Sequence, residues 1–531
     1  MRHWLALLLA LATHAALGAV PPGAVHDLAF GDGDERAKAI GALVASGDAA
    51  ALPLLQALQD GEVVTVGDKT ILIVQGDKAV DAITGQAVAT LPDNREDVVV
   101  NNRMRKLLAG AIASFKLTSP ERDVRLAAAK ELQGGADEEV LPAIAAALAR
   151  EADSEIKAVL TLTQASVQLA SSDRATRLAA IRALAQSDAG ATRTMLAEIV
   201  AKKGGKFVEP DDEVRAEAAR SLSAVESRLR KGDIAARVFS GVSLGTILLL
   251  AALGLAITYG LMGVINMAHG ELIMIGAYAT YVVQNLFRQV APGAFDWYLL
   301  FAVPVAFAVS GLVGVALERT VIRHLYGRPL ETLLATWGLS LILIQAVRTL
   351  FGAQNVQVEN PSWMSGGVEI MTSVVLPWSR IVIIGFAAFV LLLVYILLTR
   401  TRLGLFVRAV TQNRPMASAL GVRTPKVDML AFGLGSGIAG LAGCALSQIG
   451  NVGPDLGQSY IVDSFMVVVL GGVGQLAGTV YAALGLGVAN KFLEGWQGAV
   501  LAKIAVLVFI IVFIQKRPQG MFAMKGRTVE A

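Results

Sequence analysis

The stretch Arg237-Val-Phe-Ser-Gly-Val-Ser-Leu-Gly-Thr-Ile-Leu-Leu-Leu-Ala-Ala-Leu-Gly-Leu-Ala-Ile-Thr-Tyr-Gly260 marks a change of solvent within the chain. Residues 24–236, which precede it, are rich in charges and alanine at helical spacing. The residues after Phe239 form near-continuous apolar runs, most of them close to the roughly 20 residues that cross a bilayer core. The sequence therefore predicts a soluble arm followed by a membrane body with many crossings.

Composition supports this division. Hydrophobic residues make up 54% of the 531 residues, and the mean hydropathy is +0.58, which is above the range of soluble globular proteins. The net charge of +3 is small, and no dense basic run is present, so we expect no nucleic-acid partner. Cys444 is the only cysteine, which excludes an internal disulfide and a multi-cysteine metal site. We expect neither a metal nor a cofactor.

The first 19 residues have the pattern of a secretory signal peptide. Arg2 and His3 precede an apolar run over 4–12 that is too short to span a bilayer comfortably, and small residues follow at 16–19. Residues 20–236 are therefore predicted to be exported. An uncleaved N-terminal anchor is the alternative, and it would leave the arm on the same side of the membrane.

The exported arm is predicted to be an array of HEAT-like helices. One amphipathic helix pattern recurs with uneven spacing, and Asp123, Asp173 and Asp212 stand where helix caps belong. The four copies of the pattern are Arg36–Leu43, Arg125–Leu132, Arg177–Leu184 and Arg215–Leu222. An insertion at about 61–92 alternates β-forming residues around Gly-Asp and Thr-Gly turns, which predicts small hairpins. The arm shows no catalytic constellation, so no catalytic residue and no enzyme activity are expected.

Eight hydrophobic segments follow within 237–531, and the fold class is therefore all-α, a polytopic transmembrane helical bundle preceded by the exported arm. The segments lie at about 239–260, 264–284, 298–317, 329–351, 380–398, 429–450, 462–486 and 498–515. Three basic clusters flank them, and the positive-inside tendency predicts that all three are cytoplasmic. The clusters are Arg319, Arg323 and Arg328; Arg400, Arg402, Arg408, Arg414, Arg423 and Lys426; and Lys516, Arg517, Lys525 and Arg527.

Eight crossings conflict with these orientations, because an exported arm would then place the basic C-terminus outside. The number of crossings should be odd. Polar or Gly-rich breaks occur at Met262–Gly270 and Gly471–Gly474, and such breaks are tolerated at membrane depth where protein covers them or a cavity adjoins them. We expect one of these two elements to be a half-span, with a periplasmic arm and a cytoplasmic C-terminus.

The first break carries the strongest chemical signal. Asn266, His269 and Glu271 lie within six residues in an apolar context, where an ionised group costs on the order of 3 kcal/mol. They are candidates for lining a solute pathway, together with Gln345, Asn451 and Asp463. Two alternatives stay open. Asn266 could cap a helix beginning near Ala268 with Glu271 in its first turn, and the other polar residues could serve helix-to-helix hydrogen bonds.

Glycine spacing in the second half predicts close contact between helices. Gly433-Leu-Gly-Ser-Gly437 is a small-xxx-small face of the kind that lets membrane helices approach each other.

No segment fits Gly-x4-Gly-Lys-Ser/Thr, so the chain lacks this phosphate-binding loop and any driving ATPase would be a separate chain. The longest predicted cytoplasmic loop is 401–422, in which 416–420 reads as a short helix between Pro415 and Gly421. Its small and apolar side chains suit a docking site for a partner. The alternative is a solvated connector with snorkelling arginines.

Three motifs in this order resemble the branched-chain amino acid class of ABC permeases. They are Asn266-Met-Ala-His-Gly-Glu271, the stretch 408–422, and Val467-Val-Val-Leu-Gly-Gly-Val-Gly-Gln-Leu-Ala-Gly478, and the similarity extends over nearly all of 239–520. The resemblance implies that 408–422 is similar to the coupling helix that docks onto the ATPase. The implied coupling residues are Arg408, Thr411, Asn413, Pro415, Met416, Ala417, Leu420 and Gly421.

The exported arm resembles one branch of that class, the bacterial urea-transporter permeases. This resemblance implies an inner-membrane complex with two ATP-binding subunits, a second related permease and a periplasmic urea-binding protein. Two other functions stay open. One is a permease of the same kind for branched-chain amino acids or short amides, and the other is a passive channel or ion-coupled carrier that acts alone.

Overall fold

The computed structural model describes residues 22–46, 51–67, 70–75, 78–84, 86–88, 92, 94–263, 265–371 and 374–522. The predicted signal peptide at 1–19, together with Lys525 and Arg527 of the basic tail, lies outside these residues. The chain divides into two compact units between Leu229 and Arg230. The sequence placed the boundary a few residues later, between 236 and 237.

The N-terminal unit consists of paired helices around small apolar cores. Consecutive helices pack on each other and bury one face each, as in Leu108 of α4 and Leu160 of α7, which are both fully buried. The helices are α1 (Pro22–Phe30), α2 (Gly33–Ser46), α3 (Ala51–Asp60), α4 (Asn102–Lys116), α5 (Arg122–Gln133), α6 (Leu141–Arg150), α7 (Ser154–Gln168), α8 (Arg174–Leu184) and α9 (Gly190–Val200). A 3-10 turn at Glu138–Val140 precedes α6.

Five short strands interrupt these helices. They are β1 (Val63–Val66), β2 (Thr70–Gln75), β3 (Lys78–Asp81), β4 (Ala87–Val88) and β5 (Arg95–Asp97). They form one antiparallel sheet in the order β4-β3-β2-β1-β5, in which Val64 pairs with Leu72 on one side and with Asp97 on the other. The segment predicted as separate hairpins thus forms a single sheet that extends to Asp97. A second small hairpin joins β6 (Lys202–Lys203) to β7 (Lys206–Phe207).

The second unit contains the long apolar helices. They are α10 (Asp212–Met262, which begins before the division), α11 (His269–Val290), α12 (Tyr298–Thr320), α13 (Pro329–Phe351), α14 (Trp378–Arg400), α15 (Arg402–Gln412), α16 (Arg414–Ala419), α17 (Thr424–Ser447), α18 (Leu456–Gly471), α19 (Leu476–Gln497) and α20 (Ala499–Lys516). A short hairpin of β8 (Gly367–Met371) and β9 (Val374–Pro377) precedes α14. Seven helices are long and apolar enough to cross a membrane, among those that the structure describes.

Two of the predicted segments need correction. The segment at 462–486 is not one helix, because α18 ends at Gly471 and α19 begins at Leu476. Gly472 and Gly474 between them have φ of 100° and 75°, a left-handed conformation that ends a helix and favours glycine. The segment at 264–284 begins as a helix only at His269, and its helix α11 is not among the seven apolar ones.

Helices α11, α12 and α17 form the centre of this unit through glycine contacts. A Cβ atom added to Gly435 would lie 2.6 Å from the carbonyl oxygen of Gly254, and one added to Gly437 would lie 2.6 Å from the ring of Phe307. Both distances are shorter than van der Waals contact. The backbones of α10 and α17 therefore meet at Gly435, and the ring of Phe307 in α12 occupies the space that a side chain at position 437 would need. The close packing predicted from Gly433–Gly437 is confirmed.

Candidate functional site

The break before α11 is held by side chains of neighbouring segments. Met262 ends α10, Gly263 has a φ of 64°, and the backbone over 265–268 is non-helical before α11 begins at His269. The amide N–H of Ala268 donates to Asn266 Oδ1 at 3.1 Å, and the N–H of Met267 donates to Thr336 Oγ1 at 3.1 Å. The break is therefore a fixed, buried turn docked onto α13.

His269 begins α11 in a fully buried position. Its Nε2 donates to the carbonyl oxygen of Ala251 at 2.9 Å, which ties the turn to α10. Its Nδ1 has no hydrogen-bond partner within the described residues. Gly254 makes room for the ring, since a Cβ atom there would lie 2.9 Å from His269 Cε1.

Glu271 is likewise buried, with 2% of its surface exposed. Ser340 Oγ donates to its Oε1 at 2.7 Å, whereas Oε2 lacks a partner in the described part of the chain. Asn266 Nδ2 is the third buried polar atom of this cluster without a partner among those residues. Each of the three side chains thus makes one structural hydrogen bond and keeps one polar atom for a solute or a water molecule. The capping and the pathway interpretations are compatible here.

The other predicted pathway residues do not join this cluster. Gln345 is exposed on α13, and Asn451 is exposed beyond the end of α17. Asp463 of α18 forms an ion pair with Lys503 of α20, with Nζ 3.2 Å from Oδ2. Its carboxylate is therefore occupied in joining two helices, the alternative that the sequence left open.

Sequence reasoning missed the partners on α13. Thr332, Thr336 and Ser340 are all buried and follow one another at intervals of four residues, so they form a polar stripe on one helix face. That spacing is visible in the sequence, and a polar stripe in an apolar helix indicates a face turned toward protein.

The predicted coupling segment contains two helices, α15 and α16. Asn413 lies between them, and its side chain accepts a hydrogen bond from the N–H of Met416 at 2.9 Å. Pro415 occupies the first turn of α16, and Gly421 ends the segment with a φ of 87°. Met416 and Leu420 are 57% and 78% exposed, whereas Ala417 is buried against the bundle. The segment thus presents two large apolar side chains outward on a well-capped helix.

Arg414 fastens α16 to the bundle. Its guanidinium pairs through two nitrogens with the carboxylate of Asp428 in α17 and lies 3.8 Å over the ring of Tyr326. Burial alone would lower the pKa of Arg414, but the hydrogen bond and charge of Asp428 outweigh it and raise the pKa above its ordinary value. Asp428 is 4% exposed and was not identified from the sequence. The Arg414–Asp428 ion pair thus joins α16 directly to α17.

Arg408 and Thr411 of α15 border a cavity of about 720 Å³. Mainly apolar residues of α10 and α14 form one part of its wall, and Gly474, Gln475 and the start of α19 form another. The cavity places the coupling segment, the end of α10 and the turn between α18 and α19 at one end of the membrane unit.

The second unit is thus a polytopic helical bundle with a capped, outward-facing helix pair, an architecture consistent with a membrane permease. Residues 237–515 match the family described as branched-chain amino acid transport system / permease component, and the chain belongs to that family. It is similar to the high-affinity branched-chain amino acid permease LivH of Salmonella typhimurium, with 28% identity over 54% of this chain and 94% of the relative.

Two further relatives show the range of the likeness. BraD of Pseudomonas aeruginosa, a high-affinity branched-chain amino acid permease, is 28% identical over 54% of this chain and 94% of its own length. The ribose import permease RbsC of Escherichia coli is 26% identical over 24% of this chain and 44% of its own length. No solved structure matches the chain.

Proposed function

We propose that this chain is the permease subunit of an ATP-driven importer that moves urea across the bacterial inner membrane. Its partners would be two ATP-binding subunits, a second related permease and a periplasmic urea-binding protein. One observation supports the ATP-driven mechanism above all: α16 exposes Met416 and Leu420 while Arg414 and Asp428 lock the same helix to α17. A helix that is free on one face and fixed on the other can transmit the movement of a partner.

Urea as the solute is supported by the arm. The matches to LivH and BraD cover 94% of those proteins but only 54% of this chain, and the family match begins at residue 237. The residues before 237 are therefore additional to what those relatives share. An exported helical arm fused to such a permease is the architecture that resembles urea transporters.

Branched-chain amino acids are the second candidate solute. The names of LivH and BraD favour it, because the membrane half of this chain resembles theirs over nearly their whole length. The shorter likeness to a ribose permease argues against assigning a solute from the membrane half alone. Only a transport measurement with both solutes separates the two.

The decisive experiment is reconstitution of the purified complex in proteoliposomes with its binding protein. We expect ATP hydrolysis and solute uptake that are stimulated by urea and weakly or not at all by leucine. Stimulation by leucine alone would favour the amino acid permease. Urea flux through this purified chain without nucleotide or partners would instead show a channel and contradict the coupling role of α16.

A further inference from the structure

A polar cavity of about 360 Å³ lies at the end of α17 that is remote from the coupling segment. Residues 357–360 form one wall, 447–451 form the other, and Ser365 completes it. The 24 residues of α17 make it about 36 Å long, so the cavity and α16 are at opposite ends of the membrane unit. Its volume is within the range of small-molecule sites.

The two walls are fixed to each other. Val356 and Val452 exchange two backbone hydrogen bonds of 2.8 Å, which join the loops in an antiparallel bridge. Arg348 Nη2 lies 2.9 Å from Asp455 Oδ1 and forms an ion pair just beyond this bridge. The cavity is therefore a built feature of the loops.

Buried polar groups support the cavity from behind. The hydroxyl of Tyr298 lies 2.7 Å from the carbonyl oxygen of Glu359 and 3.1 Å from Gln448 Oε1. Gln284 Nε2 donates to the same carbonyl oxygen of Glu359 at 3.1 Å. Its Oε1 is buried and has no partner among the described residues, which leaves an acceptor unused beside the cavity wall. Such a group needs a polar partner that the protein itself does not provide.

The side chains that face the cavity are nearly free of charge. Glu359 carries the only carboxylate among the lining residues, and Arg288 pairs with it at 2.7 Å. The amides of Gln357, Asn360 and Asn451 are exposed and have no hydrogen-bond partner within the described chain. A zwitterionic amino acid would need a charged partner for each of its ionised groups, and the one carboxylate of the lining already pairs with Arg288. A neutral amide needs only donors and acceptors, which side-chain amides supply together.

We propose that the polar cavity is a binding subsite for a small uncharged amide of the urea type. In the orientation of the proposed function, on which this inference rests, the cavity faces the periplasm and receives the solute there. Asn360 and Asn451 determine specificity by hydrogen-bonding the amide from both walls. The hydrogen bonds are exposed to water and individually weak, so the solute is held briefly and can move on.

The test uses the complete reconstituted complex with urea as the probe, and the measured quantity is urea transported per ATP hydrolysed. The double variant Asn360→Leu with Asn451→Leu should lower this ratio about tenfold, the effect of losing two modest hydrogen bonds. ATP hydrolysis should stay within about twofold of wild type, since α16 is unaltered. Excess acetamide should compete with urea in the wild-type complex and much less in the variant.

Two control variants distinguish loss of the amide subsite from a general defect in folding or assembly of the complex. Asn360→Gln with Asn451→Gln keeps both amides and should restore most of the transport ratio. Gln497→Leu removes another exposed amide, at the end of α19 and outside the cavity, and should behave as wild type. Wild-type urea uptake with an unchanged ratio in the double leucine variant would overturn the subsite and leave the proposed function standing. A wild-type complex that carries leucine but neither urea nor acetamide would overturn both.

Discussion

In the N-terminal unit, the arginine that begins a copy of the recurring helix pattern hydrogen-bonds to a backbone carbonyl group that precedes it in the chain. Arg125 Nη1 donates to the carbonyl oxygen of Ser119, Arg177 Nη1 to that of Ser171, and Arg215 Nη1 to that of Glu209. Each acceptor lies six residues before its arginine. The same side-chain contact at three of the four copies supports a relation among those three, whereas Arg36 of the first copy donates to the carbonyl oxygen of Ala29, seven residues before it.

Replacing Glu151, which pairs with Arg125, tests the importance of these arginine contacts for stability. Its carboxylate is 5% exposed and accepts two hydrogen bonds from Arg125, with Nε 2.8 Å from Oε2. Replacing Glu151 with Gln should destabilise the helices around α5 and α7 by about 2 kcal/mol, because a buried charge-assisted pair is lost. Hydrogen exchange of the full chain in detergent would show this destabilisation as faster exchange of the backbone amides of α5 and α7.

Glu155 provides the matched control. It accepts a hydrogen bond from Arg122 at 2.6 Å but is half exposed, so water screens the pair. Glu155→Gln should change stability by less than about 0.5 kcal/mol. Equal effects of the two variants would show that burial of the Glu151 pair is energetically unimportant.

The Glu151–Arg125 pair also predicts that the stability of the surrounding helices depends on pH. Hydrogen bonds from Arg125 lower the pKa of Glu151 from 4.5 to about 2. A depressed carboxyl pKa gives a stabilisation that is complete above about pH 4.5 and is lost as the pH falls toward 2. The difference in hydrogen-exchange rate between wild type and Glu151→Gln should therefore decrease as the pH falls from about 4.5 toward 2.

In the membrane unit, Asp428 is the buried carboxylate that pairs with an arginine, in this case Arg414. Replacing it with Asn removes the charge that holds Arg414 and leaves the guanidinium at the base of α16 only partly bonded. We expect solute uptake by the complex to fall about tenfold or more, with ATP hydrolysis no longer stimulated by solute, because α16 moves without α17.

The control for Asp428 is Glu331→Gln. Glu331 forms an exposed ion pair with Arg328 at 3.0 Å near the start of α13, and its loss should leave uptake unchanged. Solute-stimulated ATP hydrolysis and uptake at wild-type levels in Asp428→Asn would contradict the connection between α16 and α17.

At the scale of elements, the apolar runs predicted the helices where each run is one helix. The segment predicted at 329–351 is α13 at the same residues, Pro329–Phe351. Hydropathy alone merged two helices at 462–486, whereas the Gly-rich break predicted at Gly471–Gly474 is confirmed, because α18 ends at Gly471 and α19 begins at Leu476. It also could not show that Glu271 meets Ser340, a contact between residues 69 apart in sequence that depends on how helices pack.

Helix packing can be tested at Gly276 of α11. A Cβ atom there would collide with the backbone of Gly440 in α17. Gly276→Val should therefore destabilise the membrane unit by about 3 kcal/mol and lower its unfolding temperature in detergent, followed by tryptophan fluorescence. Gly385→Val in α14 has open space around it and should have little effect. Similar unfolding temperatures for the two variants would argue against close contact of α11 and α17.

The docking role of α16 can be tested separately from its connection to α17. Met416→Ser combined with Leu420→Ser removes the exposed apolar surface but keeps the cap at Asn413. The variant should insert and fold normally, yet fail to co-purify with the ATP-binding subunits. Leu330→Ser, equally exposed at the start of α13, should retain them. Normal co-purification of the double variant would place the ATPase contact elsewhere.

For the whole molecule, the break at 472–475 changes the account of the crossings. Among the described residues, seven helices are long and apolar enough to cross a membrane, an odd number: α10, α12, α13, α14, α17, α19 and α20. The helix α18 has 16 residues, fewer than the roughly 20 that a full crossing needs, so the half-span expected beside Gly471–Gly474 stays a prediction. Arg319 of the first basic cluster contacts Met429 near the start of α17, and the backbone N–H of Met521 donates to the carbonyl oxygen of Leu470 beside the break. The basic clusters thus gather at the end that holds α16.

This arrangement makes a prediction about sidedness that cysteine labelling can test. Because Cys444 is the only cysteine of the chain, a Cys444→Ala background leaves only the introduced cysteines to react with the label. Asp123→Cys, in an exposed position of the arm, should react with a membrane-impermeant maleimide in intact spheroplasts. Arg402→Cys, exposed at the start of α15, should react only after permeabilisation, because the positive-inside tendency places the basic cluster around α15 and α16 in the cytoplasm. Reaction of both cysteines from the same side would require an even number of crossings between residues 123 and 402, and would contradict the periplasmic arm or the cytoplasmic coupling segment.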